Sequence, residues 1–398
     1  MSAGEEQVSN SETESATDAS SHTHLARRIA RLGDGNGPLL IVTGGMHGNE
    51  PGGTQALERV AANLEERGLS PRGTLLALSG NLAALRSGQR YIERDLNRMW
   101  TEGDLAAARS SSEPSAEQLE LLDLYDAITD AIASANGPVF FLDLHSTSAE
   151  GSPFALIGDT LANRDFAFSL GLPVILGLEE NVDGTLLSWF GEQGYVAIGV
   201  EGGQHDDPGT TRHQEATVWL ALLASGLFHE DELPWAAEQR RVLRRASSGL
   251  PPVVAVELRH GIRSEDRFRM VPGYVNFDAV VRGEVLAHDR RGPIRAAFTG
   301  NILLPLYQGR GADGFFLGRP VRRFWLGLSR FLRALKFERF LHWLPGVRRD
   351  PYRENVLTVD RRIARLRALD LFHLFGYWRV GEYDSFLRVA RRREAPRG

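Results

Sequence analysis

The sequence contains no cysteine and almost no lysine, and each absence excludes particular kinds of site. Without cysteine there is no disulfide, thiolate metal site, iron–sulfur cluster or cysteine nucleophile. Lys336 is the one lysine among 46 basic residues, and it lies in an amphipathic, Arg-rich run with no Gly-rich phosphate loop before it. A Walker A nucleotide site is therefore excluded, and a Schiff-base lysine is not expected.

Long apolar segments are also missing. No run reaches the roughly 18 apolar residues that a membrane-spanning helix needs. The N-terminus lacks the basic segment followed by an apolar segment that is typical of a secretory signal. We therefore expect a cytoplasmic protein.

The composition that remains is that of a soluble globular chain long enough for more than one domain. Of its 398 residues, 42% are hydrophobic and 24% are charged. The formal net charge of −5 is unevenly distributed, because residues 319–398 contain 20 Arg or Lys and only 8 Asp or Glu. The C-terminal fifth is therefore a separate compositional class.

The pattern along the chain divides it into four parts. Residues 1–24, rich in Ser, Thr and Glu, predict a disordered acidic tail. Residues 25–235 alternate short apolar runs with helical patterns, which predicts an α/β domain with a mostly parallel sheet flanked by helices. Residues 251–318 predict a small all-β domain, because their β-rich runs are separated by Gly and Pro. Residues 319–398 predict a basic, aromatic-rich helical extension.

Three polar segments follow apolar strands, at the sheet edge where ligand sites of open α/β sheets gather. The first contains His47 and Glu50 after a Gly-rich turn, the second contains His145 beside Asp143, and the third contains Glu201 between glycines. Two imidazoles and a carboxylate are a common zinc ligand set. Each segment alone also fits an ordinary turn or strand end, and Asp143 could either orient a ligand or cap its strand.

A fourth segment, residues 90–98, is unusually charged for a position near the core. Arg90 could stabilise an oxyanion, and Arg98 with Asn97 could hold a carboxylate, since arginine offers a bidentate fork. A surface loop of exposed charges is the alternative interpretation.

Together these segments, GGMHGNE, RYIERDLNR, DLHS and VEGG, resemble the succinylglutamate desuccinylase/aspartoacylase family of the zinc carboxypeptidase-like superfamily. The resemblance covers roughly residues 38–318. It implies one zinc ion held by His47, Glu50 and His145, and Glu201 as the base that activates the attacking water. It also implies Arg90 as the carbonyl polariser, and Asn97 with Arg98 on a substrate carboxylate. A small C-terminal β-domain that narrows the active-site mouth belongs to the same pattern.

The sequence departs from the aspartoacylase branch in three places. Residues 165–211 contain no Arg or Lys, whereas that branch has an arginine shortly before its catalytic glutamate. Trp189 and Phe190 lie in the same stretch, and Phe315 and Phe316 stand where that branch has tyrosines. These differences predict a less cationic pocket. The basic extension lies outside the family pattern.

The expected activity is hydrolysis of the amide bond of an N-acyl amino acid or a related small acyl-amide by a zinc deacylase. Cleavage of a small carboxylate-bearing ester and a non-catalytic metal-binding module are the alternatives. For residues 319–393, contact with a membrane surface and an oligomer or domain contact are both open, and the second is favoured. No nucleic-acid partner is expected, because no recognised binding module accompanies the positive charge. A homo-oligomer is compatible with the sequence.

Overall fold

The computed structural model of the chain describes residues 25–308, 311–353, 355–363 and 368–394. The predicted acidic tail, residues 1–24, lies outside the described residues. None of the helices in the described ranges combines the length and the apolar character needed to cross a bilayer. The cytoplasmic location stays a prediction.

The N-terminal half is an α/β layer structure. Its strands are β1 (Arg28–Leu32), β2 (Leu39–Gly44), β3 (Thr74–Ser79), β4 (Val139–Thr147), β5 (Phe154–Ile157), β6 (Val174–Leu176) and β7 (Val196–Gln204). Its helices are α1 (Gly52–Glu66), α2 (Leu82–Ser87), α3 (Glu102–Ser110), α4 (Ala116–Ala133), α5 (Leu161–Leu170), α6 (Leu186–Glu192), α7 (Pro208–Ala224) and α8 (Ala236–Ala246). Every residue of β2 and β3 is buried, as expected for strands covered by helices on both faces.

Apolar clusters cover the two faces of this sheet. One contains side chains of α1, α5 and α7, and the other contains side chains of α4 and α6. A capping box begins α4: Ser115 Oγ accepts from the backbone amide of Gln118, and Gln118 Oε1 accepts from the backbone amide of Ser115. The predicted α/β fold class is therefore confirmed.

The region predicted as a separate β-domain continues the same sheet. Its strands are β8 (Val253–Gly261), β9 (Arg269–Met270), β10 (Ala279–Val280), β11 (Val285–Asp289), β12 (Gly292–Arg295), β13 (Gly300–Leu303) and β14 (Asp313–Pro320). Strand β8 pairs in parallel with β6, so one sheet of eleven strands runs in the order β1-β3-β2-β4-β7-β5-β6-β8-β14-β13-β10. Strands β9, β11 and β12 form a second, small sheet.

The prediction that the C-terminal extension is helical is correct at its start and wrong for most of the rest. It begins with α9 (Arg323–Ala334) and a 3₁₀ helix at Phe337–Trp343. It then forms β15 (Val347–Arg349), β16 (Val356–Asp360), α10 (Ala368–Leu374), β17 (Tyr377–Tyr383) and β18 (Phe386–Arg391), whose strands make one antiparallel sheet. The buried residues Leu357, Val359, Leu387 and Val389 explain this sheet, because their spacing of two is the period of a strand.

Candidate active site

The first ligand segment forms a tight loop at the carboxyl end of β2. Gly45 has a φ of 71°, in the left-handed region that favours glycine. A Cβ at Gly48 would lie 2.0 Å from the backbone of Ala84, so only glycine fits there. The amide of Glu50 donates to the carbonyl of His47 at 3.1 Å, which turns both side chains to the same side.

The other two segments reach the same edge by strand register. Strand β2 aligns Gly44 with Leu144 of β4, and β4 aligns His145 with Glu201 of β7. The three polar segments therefore meet where the parallel strands end, as the sequence predicts.

His47, Glu50 and His145 are buried and form a group in which one possible ligand atom from each lies within 4.8 Å of the others. His47 Nδ1 lies 2.8 Å from Glu50 Oε1, and His145 Nδ1 lies 3.1 Å from Glu50 Oε2. Both Nδ1 atoms thus converge on the Glu50 carboxylate.

The opposite nitrogen of each histidine faces another carboxylate. His47 Nε2 lies 3.1 Å from Asp95 Oδ1, and His145 Nε2 lies 2.7 Å from Asp143 Oδ2. Thr43 in turn donates to Asp143 at 2.6 Å. Histidines that ligate metals usually donate their other ring N–H to a carboxylate, and this fixes which nitrogen is free to coordinate. The donor set therefore fits a zinc ion with three protein ligands.

The electrostatics of this group reflect its burial. Burial raises the pKa of Glu50, but the adjacent His47 and His145 outweigh it and hold that pKa well below its usual range. Burial lowers the pKa of His145, but Asp143 and Glu50 outweigh it and raise that pKa well above its usual range. Glu50 is thus held as a carboxylate, the form in which it can coordinate a cation.

Glu201 is buried beside this group, and its Oε2 has no hydrogen-bond partner. Burial raises the pKa of its carboxyl to about 8, and the Glu50 carboxylate adds to the effect, although His145 and Arg90 oppose it. A carboxyl with such a pKa can take up and release a proton near neutral pH, as a general acid/base must.

Arg90 lies between two of these carboxylates. Its Nη1 is 3.6 Å from Glu50 Oε1, and its Nη2 donates to Asp95 Oδ2 at 3.1 Å. Buried Glu117 holds the surrounding loop, accepting from the amides of Ile92 at 2.7 Å and Glu93 at 3.1 Å. The backbone of the charged run is therefore anchored to a buried carboxylate, although residues 92–94 are exposed. The surface-loop interpretation is wrong for Arg90, whose side chain is 16% exposed.

Asn97 and Arg98 are placed beside the histidines. Asn97 Nδ2 lies 3.4 Å from His145 Nε2, and Asn97 Oδ1 accepts from the amide of Leu186 at 3.0 Å. Arg98 Nη1 donates to the Asn97 carbonyl at 2.7 Å. Burial lowers the pKa of the Arg98 guanidinium, which Asp95 opposes.

One cavity of about 930 Å³ contains all the candidate residues in its walls. These are His47, Glu50, Arg90, Asn97, Arg98, His145 and Glu201. Residues 304–308 and 262–270 of the β-rich region also line this cavity, consistent with the expected narrowing of the mouth.

The four aromatic residues that distinguish this sequence from the aspartoacylase branch lie in different parts of the structure. Phe316 lines the cavity, whereas Phe315 lies in another apolar cluster and stacks on His260. Phe190 is buried against Phe141 and Trp100, and Trp189 lines a separate pocket. Two of the four aromatics, Trp189 and Phe190, thus belong to the far side of α6 and not to the pocket.

Three further polar residues of the site were not predicted from the sequence. Asp95 joins His47 to Arg90, the amide of Ser146 donates to Glu50 Oε2 at 3.0 Å, and Ser146 Oγ lies 2.8 Å from His205 Nδ1. Asp95 lies two residues before Asn97 in a charged run, but nothing in that run signals its contact with His47. Ser146 acts through its backbone, and no side-chain pattern signals that.

The sequence comparisons agree with this geometry. The model of the "Succinylglutamate desuccinylase/Aspartoacylase catalytic domain" matches residues 36–225. A succinylglutamate desuccinylase of Burkholderia lata is 27% identical over 268 residues, which cover 63% of this chain and 69% of that protein. One from Pseudomonas syringae pv. tomato is 32% identical over 117 residues, covering 29% of this chain and 33% of that protein.

Solved structures share the fold. A succinylglutamate desuccinylase/aspartoacylase from Rhodobacter sphaeroides superposes with a TM-score of 0.54 at 18% identity, covering 73% of this chain and 88% of that one. A succinylglutamate desuccinylase from Vibrio cholerae superposes with a TM-score of 0.51 at 20% identity, covering 72% of this chain and 82% of that one. The matched residues 36–225 include every candidate site residue. Residues 36–225 therefore match the catalytic domain of the succinylglutamate desuccinylase/aspartoacylase family.

Proposed function

We propose that the protein is a zinc-dependent deacylase that hydrolyses the amide bond of an N-acylated amino acid. The observation that carries the proposal is the convergence of the two histidine Nδ1 atoms on Glu50, with the unpartnered Glu201 carboxylate beside them. When bound there, zinc supplies Lewis-acid chemistry, which polarises a carbonyl and makes water more acidic.

The chain's own residues have distinct roles in this proposal. Glu201 accepts a proton from the attacking water and returns it to the leaving amine. Arg90 donates hydrogen bonds to the carbonyl oxygen as negative charge develops on it. Asp95 and Asp143 orient the two histidines.

Arg98 and Asn97 are proposed to bind the carboxylate of the amino acid. Arg98 lines the cavity beside Asn97, and its Nη1 donates to the neutral backbone carbonyl of Asn97. Its guanidinium can therefore meet an anion of the substrate.

The test is a set of N-acyl amino acids and the corresponding esters, incubated with zinc-loaded protein. Release of the free amino acid is expected for the amides, and Glu201→Gln protein serves as the inactive control. If neither amides nor esters are hydrolysed by protein that contains stoichiometric zinc, the proposal is wrong and a non-catalytic metal-binding module becomes the better account.

A further inference from the structure

The cavity extends well past the catalytic groups along one face of β7. Ala197, Gly199 and Glu201 alternate with Ile198 and Val200, so the first three share one face of the strand. All three line the cavity, whereas Ile198 and Val200 belong to the apolar cluster on the other face. Ala197 and Gly199 are both small, so no side chain larger than a methyl group projects from this face of β7.

The walls of this extension combine apolar side chains with polar ones that are hydrogen-bonded within the protein. Asn163 bonds to the backbone of Gly158 and Ala197, and Thr185 bonds to Ser188. Leu156 is paired with Gly199 across β5 and β7, and a Cβ at Gly199 would lie 2.9 Å from Leu187 of α6. The apolar lining consists of Leu156, Leu178, Val182, Leu187, Ala197 and Gly199. From Glu201 to Ala197 the strand covers roughly 13 Å at its usual rise per residue.

The C-terminal extension of the chain closes the far end. Arg392 lies beside Gly158, where a Cβ would be 3.1 Å from its Nη1. Its Nη2 donates to Glu179 at 2.7 Å, and its guanidinium lies 4.7 Å from the centre of the Trp378 ring. The passage therefore ends at an ion pair between Arg392 and Glu179, in which Arg392 Nε has no hydrogen-bond partner among the described residues.

We propose that this passage binds the acyl chain of the substrate, and that the protein prefers a long, unbranched, apolar acyl group. This inference rests on the proposed function, because it assigns the two ends of the same substrate. The amino acid carboxylate lies at Arg98, the scissile amide lies at Glu201, and the acyl chain extends past Gly199 towards Arg392.

The experiment compares N-acetyl, N-hexanoyl and N-decanoyl derivatives of one amino acid. Each methylene buried in an apolar passage should raise kcat/KM by about fourfold. Gly199→Val narrows the passage at Leu187 and should reduce the decanoyl-to-acetyl ratio of kcat/KM at least tenfold. Gly327→Val is the control, since nothing lies within 4 Å of a Cβ at that helical position and it is remote from the cavity lining.

The outcomes separate this inference from the proposed function. If the acetyl and decanoyl amides are hydrolysed equally well, and Gly199→Val leaves their ratio unchanged, the acyl passage is wrong and the deacylase assignment stands. If no derivative is hydrolysed, calorimetric binding of the decanoyl derivative still tests the passage. Equal affinity of wild type and Gly199→Val for it would overturn the inference.

A second inference concerns an apolar surface on the extension. In α9 the buried positions are Ser329 and Arg333, whereas Phe324, Phe331 and Leu335 on the opposite side are exposed. The helix thus turns its apolar face towards solvent, the reverse of a helix that packs on a core.

The following 3₁₀ helix continues the pattern. Phe337, Phe340 and Trp343 are spaced by three and lie on one face, because a 3₁₀ helix has three residues per turn. All three are exposed, and Trp343 is 72% exposed. We name the outward surface of Phe324, Phe331, Leu335, Phe337, Phe340 and Trp343 the aromatic face.

The charges around the aromatic face are positive. Residues 319–349 contain nine Arg or Lys and a single acid, Glu338, which is buried and paired with Arg391 at 2.7 Å. Arg333 is buried, and Arg319 and Arg330 pair with Glu257 and Asp165, so the positive charge of this surface comes from the other six. A second copy of this chain would bring the same positive charge against it. An anionic bilayer complements the charge, and exposed Trp and Phe beside basic residues suit its interface.

We propose that the aromatic face docks on an anionic phospholipid membrane. The experiment is sedimentation with vesicles of phosphatidylcholine alone and of phosphatidylcholine mixed with phosphatidylglycerol. The full chain should bind the anionic vesicles more tightly, and the affinity should fall as salt is raised. The triple variant Phe324→Ser, Phe331→Ser, Trp343→Ser should bind at least tenfold more weakly, since each of these side chains can contribute about tenfold or more.

Phe168→Ser is the matched control, because Phe168 is an exposed phenylalanine of α5 outside the aromatic face. It should bind vesicles as the wild type does. Equal binding by the triple variant and the wild type, or no binding by either, would overturn the proposal. So would a lipid-free dimer of the wild type that the triple variant converts to monomer, which would make a second copy the occupant.

Discussion

Each of the two histidines at the centre of the site contacts a carboxylate through both of its ring nitrogens. His47 lies between Glu50 and Asp95, and His145 lies between Glu50 and Asp143. Four polar contacts therefore fix the two rings before any ligand binds. This preorganisation is what a metal site requires, because an imidazole free to rotate would weaken binding.

Glu201→Gln should keep the metal and lose the reaction. The amide has nearly the same shape as the carboxyl, but it cannot accept the proton of the attacking water. We expect kcat to fall by roughly 10²–10⁴-fold, the usual contribution of a positioned acid or base. Steady-state kinetics with metal analysis checks this, and a near wild-type rate in the variant would place the base elsewhere.

Arg90 and Arg98 should differ in the kinetic constant they affect. Arg98→Ala should mainly raise KM, by roughly 10- to 150-fold, because a charge-assisted bond in the ground state contributes about 1.5–3 kcal/mol. Arg90→Ala should mainly lower kcat, because its partner is the developing oxyanion. Arg98→Lys should restore KM only in part, since an ammonium cannot make the bidentate contact.

The measurement uses the best substrate and its uncharged amide analogue. If Arg98→Ala discriminates between the two as the wild type does, Arg98 does not bind the carboxylate.

Some residues of the site can be predicted from the sequence because a local pattern marks them, and others cannot because only tertiary contacts place them. His47, Glu50, His145 and Glu201 follow apolar strands, and parallel strands end at one edge, so their meeting could be predicted. Asp95 could not be assigned, because its role depends on the path of a loop that Glu117 holds from another helix. His205 and Ser146 depend on side-chain and backbone contacts that no sequence spacing specifies.

At the scale of elements, α9 is held to the catalytic domain through one buried arginine. Arg333 donates to Asp159 Oδ2 at 2.8 Å and to the carbonyls of His373 and Leu374, and its side chain is 1% exposed. Asp159 also accepts from Arg164 at 2.8 Å. The extension and α5 thus share one carboxylate.

This arrangement predicts a pH dependence of stability. Burial raises the pKa of Asp159, but Arg333 and Arg164 outweigh it and hold that pKa below its usual range. Because the folded pKa is below the unfolded one, the pair stabilises the protein above about pH 4, and this stability is lost as the pH falls further. Asp159→Asn should lower the free energy of unfolding at neutral pH by about 3–5 kcal/mol, because it leaves buried arginines unpaired.

Urea unfolding at a series of pH values measures both effects. The variant should lose less stability than the wild type on acidification. Glu230→Gln is the control: it removes an exposed ion-pair partner of Arg240 and should change the free energy of unfolding little. If Asp159→Asn has wild-type stability at neutral pH, Asp159 does not anchor the extension.

Strands and helices of the catalytic domain are predictable because apolar runs alternate with amphipathic ones. Strand β5 is not signalled by the sequence, since its four residues lie between polar loops. The sheet of the extension was missed because its many arginines obscure the period of two in β16 and β18. The continuation of the main sheet into β8 depends on pairing between distant segments, which no local pattern encodes.

For the whole molecule, the extension is part of the catalytic unit. Its Arg392 contributes to the wall of the same cavity that contains His47, Glu50 and His145, and its Arg333 anchors it. The contact between the basic extension and acidic residues of the catalytic domain agrees with the favoured domain-contact interpretation. The aromatic face lies outside these anchoring contacts, so docking on a membrane need not disturb them.

The central claim is that His47, Glu50 and His145 bind one zinc ion that Glu201 does not ligate. The most direct test is the zinc content of purified wild-type, His47→Ala, His145→Ala and Glu201→Gln proteins, measured by elemental analysis. We predict one zinc per chain in the wild type and in Glu201→Gln, and most of it lost in both histidine variants. Stoichiometric zinc in both histidine variants would contradict the account.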